Sequence, residues 1–328
     1  MKIKLMTSGL VMLVLLLSAC AQAGTPSTPT GQGASAPERT IRIGMANLSL
    51  CCAYFIGMSD AVKQEASVYP NVELIVTDAN GEAEKLTSDI EDLIAKKVDG
   101  IIISGAWLEA APAALEAINK AGIPVVLVDR KLKGGEYTSY VGPDNFTIGQ
   151  QNGRYIAERL GGQGRLVVLR GGPADNSIGL DRTNGVLDIV KQHAGIEVVM
   201  APDFGGWSTD GGLKLMENML ATYDKIDAVF CENDSMCLGA QQAIADAGRT
   251  DEMFLVGVDG QKEALVQIMQ GTNYAATGLN NSDQIGRAAF HRLMAILAGA
   301  KAPKDTILPS PLITKENVQR YYNPDSVF

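Results

Sequence analysis

The chain has 328 residues, with 28 Lys and Arg against 37 Asp and Glu, for a formal net charge of −9. Hydrophobic residues make up 46% of it and charged residues 20%, enough apolar material to build two ordinary domains. No run of Lys and Arg offers phosphates a basic stripe, which argues against a nucleic-acid partner.

At the start, Lys2 and Lys4 precede an unbroken apolar run from Leu10 to Leu17, followed by Ser18, Ala19 and Cys20. A basic start, an apolar stretch and small residues before a cut site make a secretory signal. The run is short for a spanning helix, which needs about 20 apolar residues. The LSAC stretch resembles the bacterial lipobox, so residues 1–20 read as a lipoprotein signal peptide and Cys20 as the acylated residue. A plain signal peptide with an incidental Cys is the other reading. Residues 21–40 are dominated by small and polar types that cannot bury apolar area, and read as a flexible tether. The expected location is outside the cytoplasm, either lipid-anchored on the outer side of the cytoplasmic membrane or in the periplasm. Setting Cys20 aside leaves Cys51, Cys52, Cys231 and Cys237. In an oxidising compartment they can pair in three ways or stay as thiols.

From Ile41 onward, short apolar runs alternate with segments of helical period. The expected strands are Ile41–Ala46, Val72–Val76, Gly100–Ser104, Val125–Val128, Leu166–Leu169, Glu197–Met200, Ala228–Cys231, Phe254–Val258 and Tyr274–Thr277. Between two of them, Leu86, Ile90, Leu93 and Ile94 share one helical face. After the last, Ile285, Ala289, Leu293 and Ile296 do the same, with Ser282 or Asp283 as the expected N-cap. Alternating strands and helices without hairpin signals predict an α/β fold of doubly wound parallel sheets.

Such sheets bind ligands beyond the carboxyl ends of their strands. After the first strand come Asn47, Cys51, Cys52, Tyr54 and Phe55. Gly105 and Trp107 follow the third, and Asp129 and Arg130 the fourth. Later strands are followed by Asn233 and Asp234, and by Asp259. Carboxylates, amides, one Arg and aromatics suit a polyhydroxylated ring: planar polar groups for adjacent hydroxyls, flat apolar faces for its C–H surface. Each residue also has a structural reading. An Asp after a strand can cap a helix, Asn233 is a good N-cap, and Tyr54 and Phe55 could be core. Recurrence of one chemistry along one sheet edge favours a site.

The blocks IGMANLSLCCAYFIGMSDAV, DGIIIS, AGIPVVLVDR, YVGPDN, FCENDSMCLGA, LVGVDG and YAATGLNNSDQIG carry a resemblance over nearly the whole folded part. In order and spacing the chain resembles the ribose-binding-protein branch of periplasmic sugar-binding proteins. That resemblance implies a type I periplasmic binding protein fold, two doubly wound parallel-sheet lobes joined by three crossovers that close over one ligand. The lobes are expected at 41–143 plus 281–305 and at 144–280 plus 306–328. It implies ligand contacts from Tyr54 and Phe55, Asp129 and Arg130, Arg182, Trp207, Asn233 and Asp259, with Asn280 where ribose binders have a Gln. Gly105 and Val258 stand where ribose binders have larger groups, which predicts a roomier ring, a hexose or another pyranose.

The implied activity is capture of a monosaccharide outside the cytoplasm and delivery to an ABC importer permease, by a monomer with no cofactor and no metal. The other output of the same binding event is sensing, with the closed form presented to a chemoreceptor or membrane sensor kinase. Catalysis has little support: the two histidines, His193 and His291, sit in helical patterns, and no zinc spacing, Ser-His-Asp set, GxGxxG or P-loop is present. Cys51 and Cys52 are adjacent in the expected sugar loop, where a vicinal disulfide would place a flat sulfur patch against the ring. Cys231 and Cys237 would then pair with each other. A bond from the first loop to the Cys231 loop, or four thiols, are the other readings.

Overall fold

The computed structural model describes residues 39–50, 52–173 and 177–328. The signal peptide, Cys20, most of the tether and Cys51, hence the vicinal bond, lie outside the described residues.

The first sheet is built from β1 (Ile41–Asn47), β2 (Val72–Asp78), β3 (Gly100–Ser104), β4 (Val125–Val128), β5 (Ser139–Gly142) and β11 (Asp305–Ile307). Its order is β11-β5-β4-β3-β1-β2, with every pairing parallel. The second comprises β6 (Gln163–Arg170), β7 (Gly195–Phe204), β8 (Ala228–Cys231), β9 (Phe254–Asp259), β10 (Tyr274–Leu279) and β12 (Leu312–Thr314), in the order β12-β10-β9-β8-β6-β7. Here β12 alone runs antiparallel, on β10. Alternating order on either side of the first strand is the doubly wound pattern expected from the sequence.

Each sheet has helices on both faces, which is why its central strands are largely apolar. On the first sheet, α2 (Ala83–Ala95), α3 (Gly105–Ala110) and α4 (Pro112–Ala121) bury Leu86, Ile90, Leu93, Leu108 and Ile118 against one face. On the other, α1 (Ala53–Ser67) and α10 (Ser282–Leu297) bury Met58, Val62, Ile285, Phe290 and Leu293. On the second sheet, α5 (Asn145–Arg159) and α6 (Ser177–Val190) cover one face, while α7 (Thr209–Thr222), α8 (Asp234–Asp246) and α9 (Lys262–Gln270) cover the other. The chain passes between lobes from β5 to α5, from β10 to α10 and from β11 to β12.

Two local expectations are corrected. The α10 N-cap is Asn281, whose Oδ1 accepts from Gln284 N at 2.8 Å, rather than Ser282 or Asp283. The short strands β5, β11 and β12 did not stand out as apolar runs. They are only 3–4 residues long and adjoin the crossings, too short to read as a periodic run.

Candidate functional site

The strands of both sheets end at the cleft between the lobes. In the first lobe, β4 ends at Val128, and Asp129 turns the chain in the left-handed region with φ 61°. Its carboxylate accepts from Ser104 Oγ, the last residue of β3, at 3.1 Å. Arg130 Nε lies 3.8 Å from Asp129 Oδ2, is buried, and has no hydrogen-bond partner among the described residues. The Tyr140 hydroxyl of β5 donates to the Asp129 carbonyl at 3.2 Å and fixes this turn from behind.

In the second lobe, β9 ends on Asp259, again at positive φ, 126°. Its Oδ1 takes Arg182 Nη2 at 3.0 Å and Asn280 Nδ2 at 3.0 Å. Arg182, from α6, also donates Nε to Asn145 Oδ1 at 2.9 Å and Nη1 to the Glu232 carbonyl at 2.6 Å. The network reaches the first lobe through Tyr54, whose hydroxyl donates to Asn280 Oδ1 at 3.2 Å. A third positive-φ residue is Trp207, at 61°. Asp129, Trp207 and Asp259 are three of five non-glycine residues with positive φ among the described residues, the others being Asn80 and Lys97, and such backbone persists where surrounding contacts hold it.

Arg182 can reach this network because α5 and α6 pack unusually close. A Cβ on Gly149 would stand 2.2 Å from the Arg182 carbonyl, and one on Gly185 would stand 2.2 Å from the Phe146 carbonyl. Asp234 steadies the loop after Asp259: it accepts from Gly260 N and Gln261 N at 2.8 Å and from the Tyr274 and Thr277 hydroxyls at 2.7 Å.

Burial pushes the Asp129 carboxyl up, against the lowering pull of Arg130 and Arg182. Burial likewise pushes Asp259 up to about 7, with Arg182 opposing. Between the ordinary carboxylate value and about 7, the native state holds a proton that the unfolded chain has released. The stability this proton confers is present at acid pH and lost as pH rises through 7. Asp259→Asn is expected to flatten that part of the profile, checked by urea midpoints at pH 5 and pH 8.5, below and above that value. Equal pH dependence in both proteins would show that Asp259 does not titrate there.

The structure brings Tyr54, Asp129, Arg130, Arg182, Asp259 and Asn280 together. Phe55 meets Tyr54 edge-on at 5.2 Å between centroids and packs on Trp107 at 4.6 Å, so it is tied to the first-lobe core. Trp207 lies on the second lobe, its ring over Gly171 and Gly179 and its carbonyl held by Asn233 Nδ2 at 3.1 Å. Asn233 also caps α8 through Met236 N at 3.0 Å, which bears out its structural reading as a helix cap. Asn47 is drawn away from the cleft. It is fully buried, with Nδ2 on the Thr77 carbonyl and Oδ1 accepting from Ser59 Oγ, so it ties β1 to β2 and α1. Cys52 is exposed at the N-cap of α1. Cys231 and Cys237 are joined, with Cα atoms 5.4 Å apart, which removes the pairing from the first loop to the Cys231 loop.

The two positions read as enlarging the ring are both closely packed. A Cβ on Gly105 would stand 2.4 Å from the Arg130 carbonyl, so this glycine lets the Asp129–Arg130 turn come close to α3. Val258 is fully buried in the core under α5 and α6.

Sequence reading passed over Ser104, Asn145 and Glu232. Ser104 and Glu232 end or follow strands, so the strand-end rule would have found them. Asn145 follows β5, which was itself missed. Between Asp129, Arg130 and Tyr140 on one side and Asn145, Ile178 and Asp181 on the other lies a cavity of about 470 Å³. That size falls within the range of small-molecule pockets.

Residues 43–301 match the family model described as "Periplasmic binding protein domain". The chain is 31% identical over 311 residues to the ribose import binding protein of Bacillus subtilis, covering 94% of this chain and 97% of that one. Among solved structures, it is similar to an ABC transporter solute binding protein from Bacillus halodurans with bound myo-inositol. The TM-score is 0.79 at 28% identity, over 86% of this chain and 97% of that one. It is also similar to the fructose-binding periplasmic domain of a hybrid two-component system, with TM-score 0.77 and 31% identity over 85% of this chain and 92% of that one. Members of this family bind solutes outside the cytoplasm and are not enzymes. The two-lobed fold, the cleft where both sheets end and these matches agree: the chain belongs to the periplasmic binding protein domain family, in its ribose-binding-like branch of ABC solute-binding proteins.

Proposed function

We propose that the chain binds a monosaccharide between its lobes and delivers it to the permease of an ABC importer, as a monomer held to the membrane through an acylated Cys20. The observation that carries this reading is the pairing of Asp129 and Arg130 at one sheet edge with Asp259, Arg182 and Asn280 at the other. Carboxylates accept from hydroxyls and guanidinium groups donate to them, so two such sets can grip both edges of one polyol ring. Arg130 Nε, buried without a partner among the described residues, is a donor suited to a ring hydroxyl. A six-membered ring is supported by the myo-inositol complex of the Bacillus halodurans protein. A panel of common monosaccharides and myo-inositol, scored by the rise in melting temperature, tests the reading. At least one sugar should raise it by several degrees, and no shift with any of them would overturn the proposal.

Trp207 is proposed to cover the ring from the second lobe. Its emission should therefore change on sugar binding, and Trp207→Phe is expected to abolish most of that change. If Trp207→Phe binds and keeps the full change, the signal belongs to Trp107 and the stacking role fails.

A second reading uses the same site for sensing. It is favoured by the similarity to a periplasmic domain of a two-component system. Importer-dependent uptake of the sugar by cells carrying the gene, lost on its deletion, separates transport from sensing.

A further inference from the structure

After β12 the chain passes through a short 3-10 helix, Val318–Arg320, with Val318 buried in the second-lobe core. It then leaves that lobe. Ser326 Oγ stands 3.4 Å from Asp283 Oδ2 on α10, which packs on the first sheet. Phe328, 8% exposed, sets its ring edge-on to Tyr54 at 5.3 Å between centroids. Gly57 of α1 accommodates it, since a Cβ there would stand 3.3 Å from Phe328 Cβ. From the other lobe, Lys262 Nζ at the start of α9 donates to the Ser326 carbonyl. One short segment thus holds the second lobe through Lys262 and the first through Phe328.

We propose that residues 323–328 form a clasp between the lobes and that Phe328 is a positioning residue for the ligand site, acting through Tyr54. Phe55 and Phe328 each meet the Tyr54 ring edge-on, and its hydroxyl is on Asn280. Three contacts from three elements fix the ring and hydroxyl of a residue in the cleft. Edge-on aromatic pairs favour this geometry, so losing Phe328 frees the Tyr54 ring on one side. The clasp adds to the three chain crossings and ties lobe closure to the order of the first loop. The positioning half rests on the proposed sugar site; the clasp half does not.

Amide hydrogen exchange on the ligand-free protein separates the two. Phe328→Ala and Lys262→Met are each expected to speed exchange across residues 53–58 by about tenfold, and Phe328→Leu to recover most of the protection. Lys262 is on the opposite lobe, so packing lost within the first lobe does not account for its effect. Melting curves show whether each variant folds. Unchanged exchange over 53–58 in Lys262→Met, or a change confined to 323–328, overturns the clasp. In parallel, D-ribose, D-allose and myo-inositol are titrated into wild type and Phe328→Ala. A loss of about fivefold in affinity for whichever binds supports positioning, and equal affinity overturns it. If wild type binds none of the three, the titration is made with the sugar that raises the melting temperature; if no sugar of that panel does, the ligand reading is what fails, and the exchange result still decides the clasp.

Discussion

Arg182→Ala is expected to lower the unfolding free energy by about 3–5 kcal/mol. The guanidinium is 2% exposed, pairs with Asp259 at 3.0 Å and donates to Asn145 Oδ1 and the Glu232 carbonyl. Truncation leaves the Asp259 carboxylate buried without its cation and two acceptors without their donors, and the low dielectric makes each loss costly. Urea unfolding at pH 8.5, above the value near 7 to which the Asp259 carboxyl is pushed, measures it. A change under about 1 kcal/mol would mean that water enters and replaces the guanidinium, which the close packing of α5 on α6 argues against. Asp259→Asn should cost less, since Asn keeps the shape and an acceptor for Arg182.

Asp129→Asn is expected to weaken sugar binding by about tenfold to a hundredfold while leaving the melting temperature nearly unchanged. The substitution suits the backbone, because Asn tolerates the left-handed conformation that φ 61° demands and Ala does not. What is lost is the charged acceptor, and charge-assisted hydrogen bonds to a ligand are worth about 1.5–3 kcal/mol. Calorimetric titration with the sugar found by the melting panel checks it. Affinity within threefold of wild type, about 0.65 kcal/mol, would take Asp129 out of the ligand's reach.

The sequence made the fold legible wherever strands were long and buried on both faces. β3, β4 and β8 fall where their apolar runs begin and end. The crossings were harder to read, because β5, β11 and β12 are short and their pairing is set by distant strands. The strand-end rule points to Asp129, Arg130 and Asp259, which follow β4 or end β9. For Asn47 the rule cannot tell an amide that meets a ligand from one that bonds Thr77 and Ser59 inside the lobe, as Asn47 does. A small residue signals missing volume, but only the backbone beside Arg130 and the core under α5 show where that volume lies. Arg182 and Trp207 came from family resemblance alone, since Arg182 lies in α6 and Trp207 just before α7, and neither element's own pattern marks them. Nothing local in the sequence signals that Phe328 meets Tyr54, a contact between residues far apart along the chain.

A crystal structure of the protein grown with the sugar that raises its melting temperature tests the central claim most directly. The account predicts one sugar per chain between the lobes, with hydroxyls within hydrogen-bond distance of Asp129 and Arg130 on one side and of Asp259 or Asn280 on the other. A sugar bound at saturating concentration anywhere else on the molecule, or touching one lobe alone, would contradict it.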